Sequence, residues 1–203
     1  PHKNQAVFTF QDRPLVGLLD TTTQTFQTFP IPSALEDFFL DPFGRYLIGG
    51  TRRQTILHVI DLLEKRLVFQ APLPGIPHLF SAALWYDRGA FYFALPHLQK
   101  PFISLWQMYK WRWLRTIPLT SPSSFLRTHP EAPAIWADQG SDQMALIDKR
   151  TFAVTFFRPE AKKKVLHTEF SADGRLAYLS LFEQDGALLA YDAISLQRKL
   201  RLP

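Results

Sequence analysis

The chain has 203 residues, 46% hydrophobic and 20% charged, a balance that excludes intrinsic disorder and suits a chain able to bury a core. It has no cysteine, which excludes disulfides, thiolate metal sites and covalent c-type haem attachment, and no apolar run approaches the ~18 residues of a membrane span. A formal net charge of +5 favours an anionic ligand or partner, and sixteen prolines with nine glycines favour many short turns over long helices.

Residues 4–31 read as three strands. The chain starts inside this strand-rich pattern, so further sequence is expected before Pro1. The strongest helix candidate, Ser33–Phe39, is short and reads as a loop leading into an inner strand. A turn at Asp41–Pro42–Phe43–Gly44 then precedes a strand at Arg45–Gly49. His58 falls inside the next strand, Thr55–Asp61, as a sheet residue. Tyr86–Asp87–Arg88–Gly89 is a second turn, followed by a strand at Ala90–Leu95. The run Trp106–Arg115 interleaves aromatic and basic residues, a pattern that can stack single-stranded bases. Its alternation of Tyr109, Trp111 and Trp113 with Lys110 and Arg112 fits better the packed and wet faces of a strand hairpin, so no nucleic-acid partner is expected. His129 falls in a third turn, His129–Pro130–Glu131–Ala132, as a turn-stabilising residue, before a strand at Ala134–Asp138. The last stretch, His167–Leu196, is the clearest: a strand, the turn Ser171–Ala172–Asp173–Gly174, a second strand, a polar loop at Glu183–Gly186, and a third strand ending at Tyr191–Asp192. Gln197–Leu202 completes four strands.

These elements recur. An apolar residue followed by Asp ends a strand at Asp20, Asp61, Asp148 and Asp192, with Tyr109 in the third place; the separations are 41, 48, 39 and 44 residues. A period of this length with four short strands per unit predicts an all-β chain, a β-propeller of four-stranded antiparallel blades. Four blades are expected at about 33–77, 78–120, 121–163 and 164–203, with three strands of a fifth before them. The whole of 1–203 then reads as one partial propeller domain, about four and a half blades of a larger ring; a five-bladed ring with its first strand supplied from the C-terminus is the other reading, and no strand is left over after Leu202 to close it.

Ligands of propellers bind where the loops between blades and between second and third strands gather. Those loops hold Pro77–His78, Thr51–Arg52–Arg53, Pro96–His97–Leu98–Gln99–Lys100, Asp138–Asp142 and Glu183–Gly186, with His167, Asp37 and Phe125 near equivalent starts of inner strands. Imidazoles ligate iron or exchange protons near neutral pH, and guanidinium groups hold carboxylates through paired hydrogen bonds. The set suits a polycarboxylate ring such as a tetrapyrrole, or another anion; each histidine also has a purely structural reading. No protein-held metal site is expected. Nucleophile-elbow, Walker, dinucleotide-binding and zinc-protease signatures are absent from the sequence.

Gly75–His78, Phe125–Pro130, Leu146–Thr151, Val165–Arg175 and Asp185–Ala193 together resemble the cytochrome d1 haem-domain family, which includes the d1 domain of cytochrome cd1 nitrite reductase and stand-alone haem d1 biosynthesis proteins. The resemblance covers most of 36–203. It implies an eight-bladed propeller carrying haem d1 or a haem d1 precursor. It matches His78 to a distal pocket histidine and gives His167 a pocket place, so these two are the candidate catalytic residues. Arg52 and Arg53, with Lys100, become contacts for the acidic side chains of the ring; His97 and Phe125 complete the candidate cofactor-binding set with His78 and His167. A second distal histidine of the reductases would fall near Gly44–Arg45, where none stands, and their proximal ligand lies in earlier blades. The resemblance thus implies a periplasmic protein of haem d1 maturation for denitrification, with other maturation proteins or nitrite reductase as partners. The C-terminal part of a cd1-type nitrite reductase is the alternative. A non-catalytic propeller scaffold is a third reading, and a sugar-lactone-type propeller enzyme a more distant fourth.

Overall fold

The computed structural model describes residues 4–51, 54–182 and 184–203. Nineteen strands form five antiparallel sheets among these residues, with a 3-10 turn at Leu79–Ser81 as the one helical segment. Two compact units divide the chain at residue 80. The first holds β1 (Gln5–Thr9), β2 (Leu15–Asp20) and β3 (Phe26–Pro30), then β4 (Asp37–Leu40), β5 (Tyr46–Gly50), β6 (Ile56–Asp61) and β7 (Arg66–Pro72). The second holds β8 (Ala83–Asp87), β9 (Ala90–Pro96), β10 (Phe102–Gln107) and β11 (Arg112–Pro118); β12 (Leu126–Arg127), β13 (Ala134–Asp138), β14 (Met144–Asp148) and β15 (Val154–Phe157); and β16 (Val165–Phe170), β17 (Leu176–Leu181), β18 (Leu188–Asp192) and β19 (Arg198–Leu202). In every sheet the spatial order follows the chain order, so each is a meander blade. The predicted blade limits enclose all four four-stranded sheets, and residues 31–36 are loop, as expected of the rejected helix candidate.

Blades pack through the apolar faces that the two-residue strand period creates. In the first unit Val16, Leu18 and Phe29 of one sheet meet Leu47 and Ile60 of the next and Leu35 of the loop between them. In the second, Ala83, Trp85, Ile103 and Leu105 meet Leu126, Ile135, Ala137 and Ile147. The other face of that middle blade sets Trp136, Met144 and Leu146 against Val165, Leu179, Leu189 and Tyr191.

The recurring Asp has a local cause. Oδ1 of Asp20, Asp61, Asp148 and Asp192 each accepts the N–H groups two and three residues on, at 2.7–3.1 Å. Such a carboxylate closes the turn before the last strand of its sheet by satisfying backbone donors that the sheet leaves over. Four residues beyond each Asp the chain enters the left-handed region, at Gln24, Lys65, Phe152 and Leu196. The bonds from the Thr23 and Thr22 amides hold the Asp20 carboxyl below its usual range, and the Thr151 and Ser195 amides act likewise on Asp148 and Asp192. At Asp61 burial works in the raising direction, and the Arg45, Glu64 and Leu63 hydrogen bonds outweigh it.

The third blade has Tyr109 where the others have Asp, and its turn differs: Tyr109 and Trp111 both take positive φ. These two residues therefore lie in the turn, not in the expected strand alternation. The packed aromatic ladder is Phe93, Trp106 and Trp113, stacked at 5.9 and 5.8 Å.

His58 is buried between neighbours of β6, with no hydrogen-bond partner for Nδ1 among the described residues, and desolvation pushes its pKa down. Its folded pKa lies below the unfolded value of about 6.5, so the stabilisation is complete above that pH and is lost as pH falls towards the folded pKa. His58→Leu is expected to remove that part of the acid sensitivity, up to about 1.4 kcal/mol per pH unit over the window. Urea midpoints of the full gene product between pH 7.5 and 5 check this, and equal slopes for wild type and variant refute it.

His129 serves its turn as expected: Nδ1 accepts the Glu131 N–H at 3.2 Å, and its carbonyl accepts the buried Lys149 ammonium at 2.7 Å. Burial lowers the Lys149 pKa against the pull of Glu131 and Asp87.

Candidate functional site

In the first unit His78 follows Pro74 and Pro77, whose rings keep this segment from extending β7. Gly50 makes room for it: a Cβ there would come within 2.9 Å of Leu79 Cδ1 and 3.4 Å of Pro77 Cγ. The Phe80 N–H donates to Asp37 Oδ1 at 2.9 Å, tying the segment to the start of β4. Glu36 is held in turn by the Thr51 hydroxyl at 3.1 Å. Half-buried His78 lines a hollow of about 340 Å³ with Gln11, Glu36, Asp37 and Phe80. Phe80 is 70% exposed, an apolar ring beside an imidazole and two carboxylates. The predicted contacts Arg52 and Arg53 lie outside the described residues.

In the second unit the structure brings together two of the predicted residues. The rings of Phe125 and His167 lie 3.8 Å apart between centroids, tilted by 36°. His167 is the extra residue of a bulge: pairing of β16 with β17 slips between Leu166 and Thr168, and His167 takes φ +52°. A non-glycine residue in the left-handed region inside a strand is uncommon, and bulges of this kind re-aim a side chain. The His167 side chain is thereby exposed while Thr168 beside it is buried. Nearby, between β12 and β16, the Arg127 guanidinium donates to Glu169 Oε1 at 3.0 Å.

Phe125 owes its place to Asp138. This carboxylate is 1% exposed, and its Oδ1 accepts the Ser123 hydroxyl at 3.0 Å, the Ser124 N–H at 2.9 Å and the Phe125 N–H at 2.6 Å. Gln139 continues the fastening, accepting from Thr120 and Ser121. In the sequence 120–125 is legible as a Ser/Pro loop and Asp138 as the start of another loop, but nothing there links the two.

The remaining predicted contacts part company. Lys100 is exposed in the loop between β9 and β10. His97 is fully buried: its Nε2 shares a 2.8 Å hydrogen bond with Ser104 Oγ, and its ring lies 5.0 Å from Phe102. Its ring presents no surface to a ligand, because the strand partner it bonds lies inside the blade; contrary to expectation, His97 is a packing residue. The turn at Gly44–Arg45 does not lie beside His78, contrary to the expectation from the resemblance. That turn joins the far ends of β4 and β5, whereas His78 sits by Asp37 and Gly50 at the near ends. Arg45 there is turned to Asp61, at 2.8 and 3.0 Å. A missing histidine at this turn therefore says nothing about a pair beside His78. Among the described residues no group of three or more His, Asp and Glu side chains is arranged to hold a metal.

The model of the family described as Cytochrome D1 heme domain matches residues 5–203. The chain belongs to this family. Its curated relatives include the dihydro-heme d1 dehydrogenase of Pseudomonas aeruginosa, 38% identical over 174 residues, which cover 83% of this chain and 35% of that protein. The chain thus spans about a third of that relative's length. Among solved structures it resembles dihydro-heme d1 dehydrogenase NirN in complex with DHE, at a TM-score of 0.93 and 34% identity over all of this chain and 45% of the other. Kuenenia stuttgartiensis hydrazine synthase shares the fold, at a TM-score of 0.74 and 14% identity over 98% of this chain and 63% of the other. The meander blades of this d1-domain chain are thus those of a β-propeller, and no described helix is long and apolar enough to cross a membrane.

Proposed function

We propose that this chain is the tetrapyrrole-holding part of a protein of haem d1 maturation, binding haem d1 or a precursor in the periplasm. The observation that carries this reading is the likeness, along its whole length, to a dehydrogenase structure determined with DHE. The chemistry of the candidate residues fits such a group. His78 borders a hollow with an exposed aromatic ring, and His167 is held out of its strand on an aromatic base. Both imidazoles suit a role as iron ligand or as acid–base group. Lys100, with Arg52 and Arg53, is suited to the acidic side chains of the ring, and Phe125 to its apolar face. The bound group would supply an iron and a conjugated ring able to exchange electrons; the chain would supply orientation and protons. Other maturation proteins or nitrite reductase are the proposed partners.

A visible absorption titration of the full gene product with haem d1, and with haem b as control, tests the reading. Spectrally shifted binding is expected with haem d1, weakened about tenfold or more, the equivalent of ~1.4 kcal/mol, in His78→Ala or His167→Ala. A well-folded full-length protein that binds neither ring refutes it and leaves the scaffold reading. Nitrite turnover by the loaded protein would instead favour the reductase alternative.

A further inference from the structure

Asp138 stands at the end of β13, where the corresponding strands of the other four-stranded blades end in Gly50, Pro96 and Leu181. A carboxylate at this point is therefore no requirement of the blade. Burying one has a cost that only hydrogen bonds offset. Here one oxygen collects three donors, all from Ser123–Phe125. The bonds are reciprocal, since the Asp138 N–H donates to the Phe125 carbonyl at 3.3 Å. The result is a fixed backbone at Phe125, and against the Phe125 ring lies the His167 imidazole, exposed on its bulge. Two uncommon features thus meet at one pair of rings: a fully buried carboxylate behind Phe125 and a left-handed residue at His167. Neither is needed to close a sheet, and strain of this kind collects where a side chain must be aimed.

We propose that Asp138 is a positioning residue for the His167 imidazole, acting through Phe125, for the tetrapyrrole-directed role assigned to His167 above, on which reading this inference rests. Asp138 touches no ligand itself. It sets the orientation of the ring on which His167 leans, and thereby the direction in which the imidazole points.

The test uses the full gene product labelled with 13C at histidine Cε1. The His167 resonance is assigned from its loss in His167→Gln. Phe125→Leu gives its position without the aromatic neighbour. In ligand-free protein, Asp138→Ala is expected to move the resonance towards the Phe125→Leu position, while Asp138→Asn, which keeps an acceptor for the loop amides, leaves it near wild type. With haem d1 added, Asp138→Ala is expected to weaken binding about tenfold, ~1.4 kcal/mol, with Asp138→Asn close to wild type. A His167 resonance unmoved in folded Asp138→Ala overturns the proposal, as does an Asn variant that behaves like Ala. Should Asp138→Ala not fold, Asp138→Ser is read by the same criteria. If wild type does not bind haem d1, the tetrapyrrole reading falls by itself, and the ligand-free resonance still decides whether Asp138 positions His167.

Discussion

Trp106→Ala is expected to lower the unfolding free energy of the full protein by about 3–5 kcal/mol. Trp106 is 1% exposed and stacks between Phe93, nearly parallel at 8°, and Trp113, at 18°. An indole of this kind removes roughly 150–250 Å² from water, about 4–6 kcal/mol as an upper bound at ~25 cal/mol/Å². The truncation also takes the indole N–H from Ser104 Oγ, at 2.9 Å, the hydroxyl that His97 shares. Trp113→Ala should cost less, since that ring is 41% exposed at the end of the ladder. Urea unfolding of the three proteins checks the order. The experiment also separates the two readings of the Trp106–Arg115 run. A base-stacking surface predicts that Trp106→Ala loses single-stranded nucleic-acid binding at nearly unchanged stability. Packing predicts a large loss of stability and no such binding in wild type.

Gly174→Ala is expected to destabilise by about 2–3 kcal/mol, of which about 1–2 is the left-handed backbone and about 1 a lost hydrogen bond. Gly174 has φ +70°, and a Cβ there would overlap Nδ1 of His129. That ring cannot yield freely, because Nδ1 accepts the Glu131 N–H that closes the neighbouring blade's turn. The glycine therefore serves two blades at once. Gly89 is the control: its φ is +80°, but nothing lies within 4 Å of its Cβ position, so Gly89→Ala should show the backbone cost alone. A double variant, Gly174→Ala with His129→Ala, should cost less than the sum of its parts, since one overlap is removed once. Equal effects at Gly174 and Gly89, or strict additivity of the pair, would show that His129 does not resist the new methyl group.

Much of the blade was legible because its signals act over short stretches of chain. An Asp that accepts N–H groups two and three residues ahead must stand next to its turn, so its recurrence gave away the period. Gly44, Gly89 and Gly174 mark turns for the same local reason, and alternating apolar residues mark the faces that blades bury. His58 and His129 read correctly as structural residues because a strand and a turn suffice to place them.

The candidate site was legible only as a set of loops. His78 and His167 were found as histidines at loop ends, but their surroundings come from pairing across strands. Whether His97 faces outward depends on Ser104, Phe102 and the blade interior. Which end of a blade holds Arg45 depends on the path of β4 and β5. The loop holding Phe125 is fixed by a carboxylate thirteen residues away, and His167 is turned out by a register slip that no residue type announces. Thus the sequence alone determined the all-β blades, their limits and the loops that gather candidate chemistry, because hydrogen bonds and periodicity between near neighbours carry that information. The tertiary structure decided which side chains face outward and which one another, because burial and strand register are properties of segments brought together by packing.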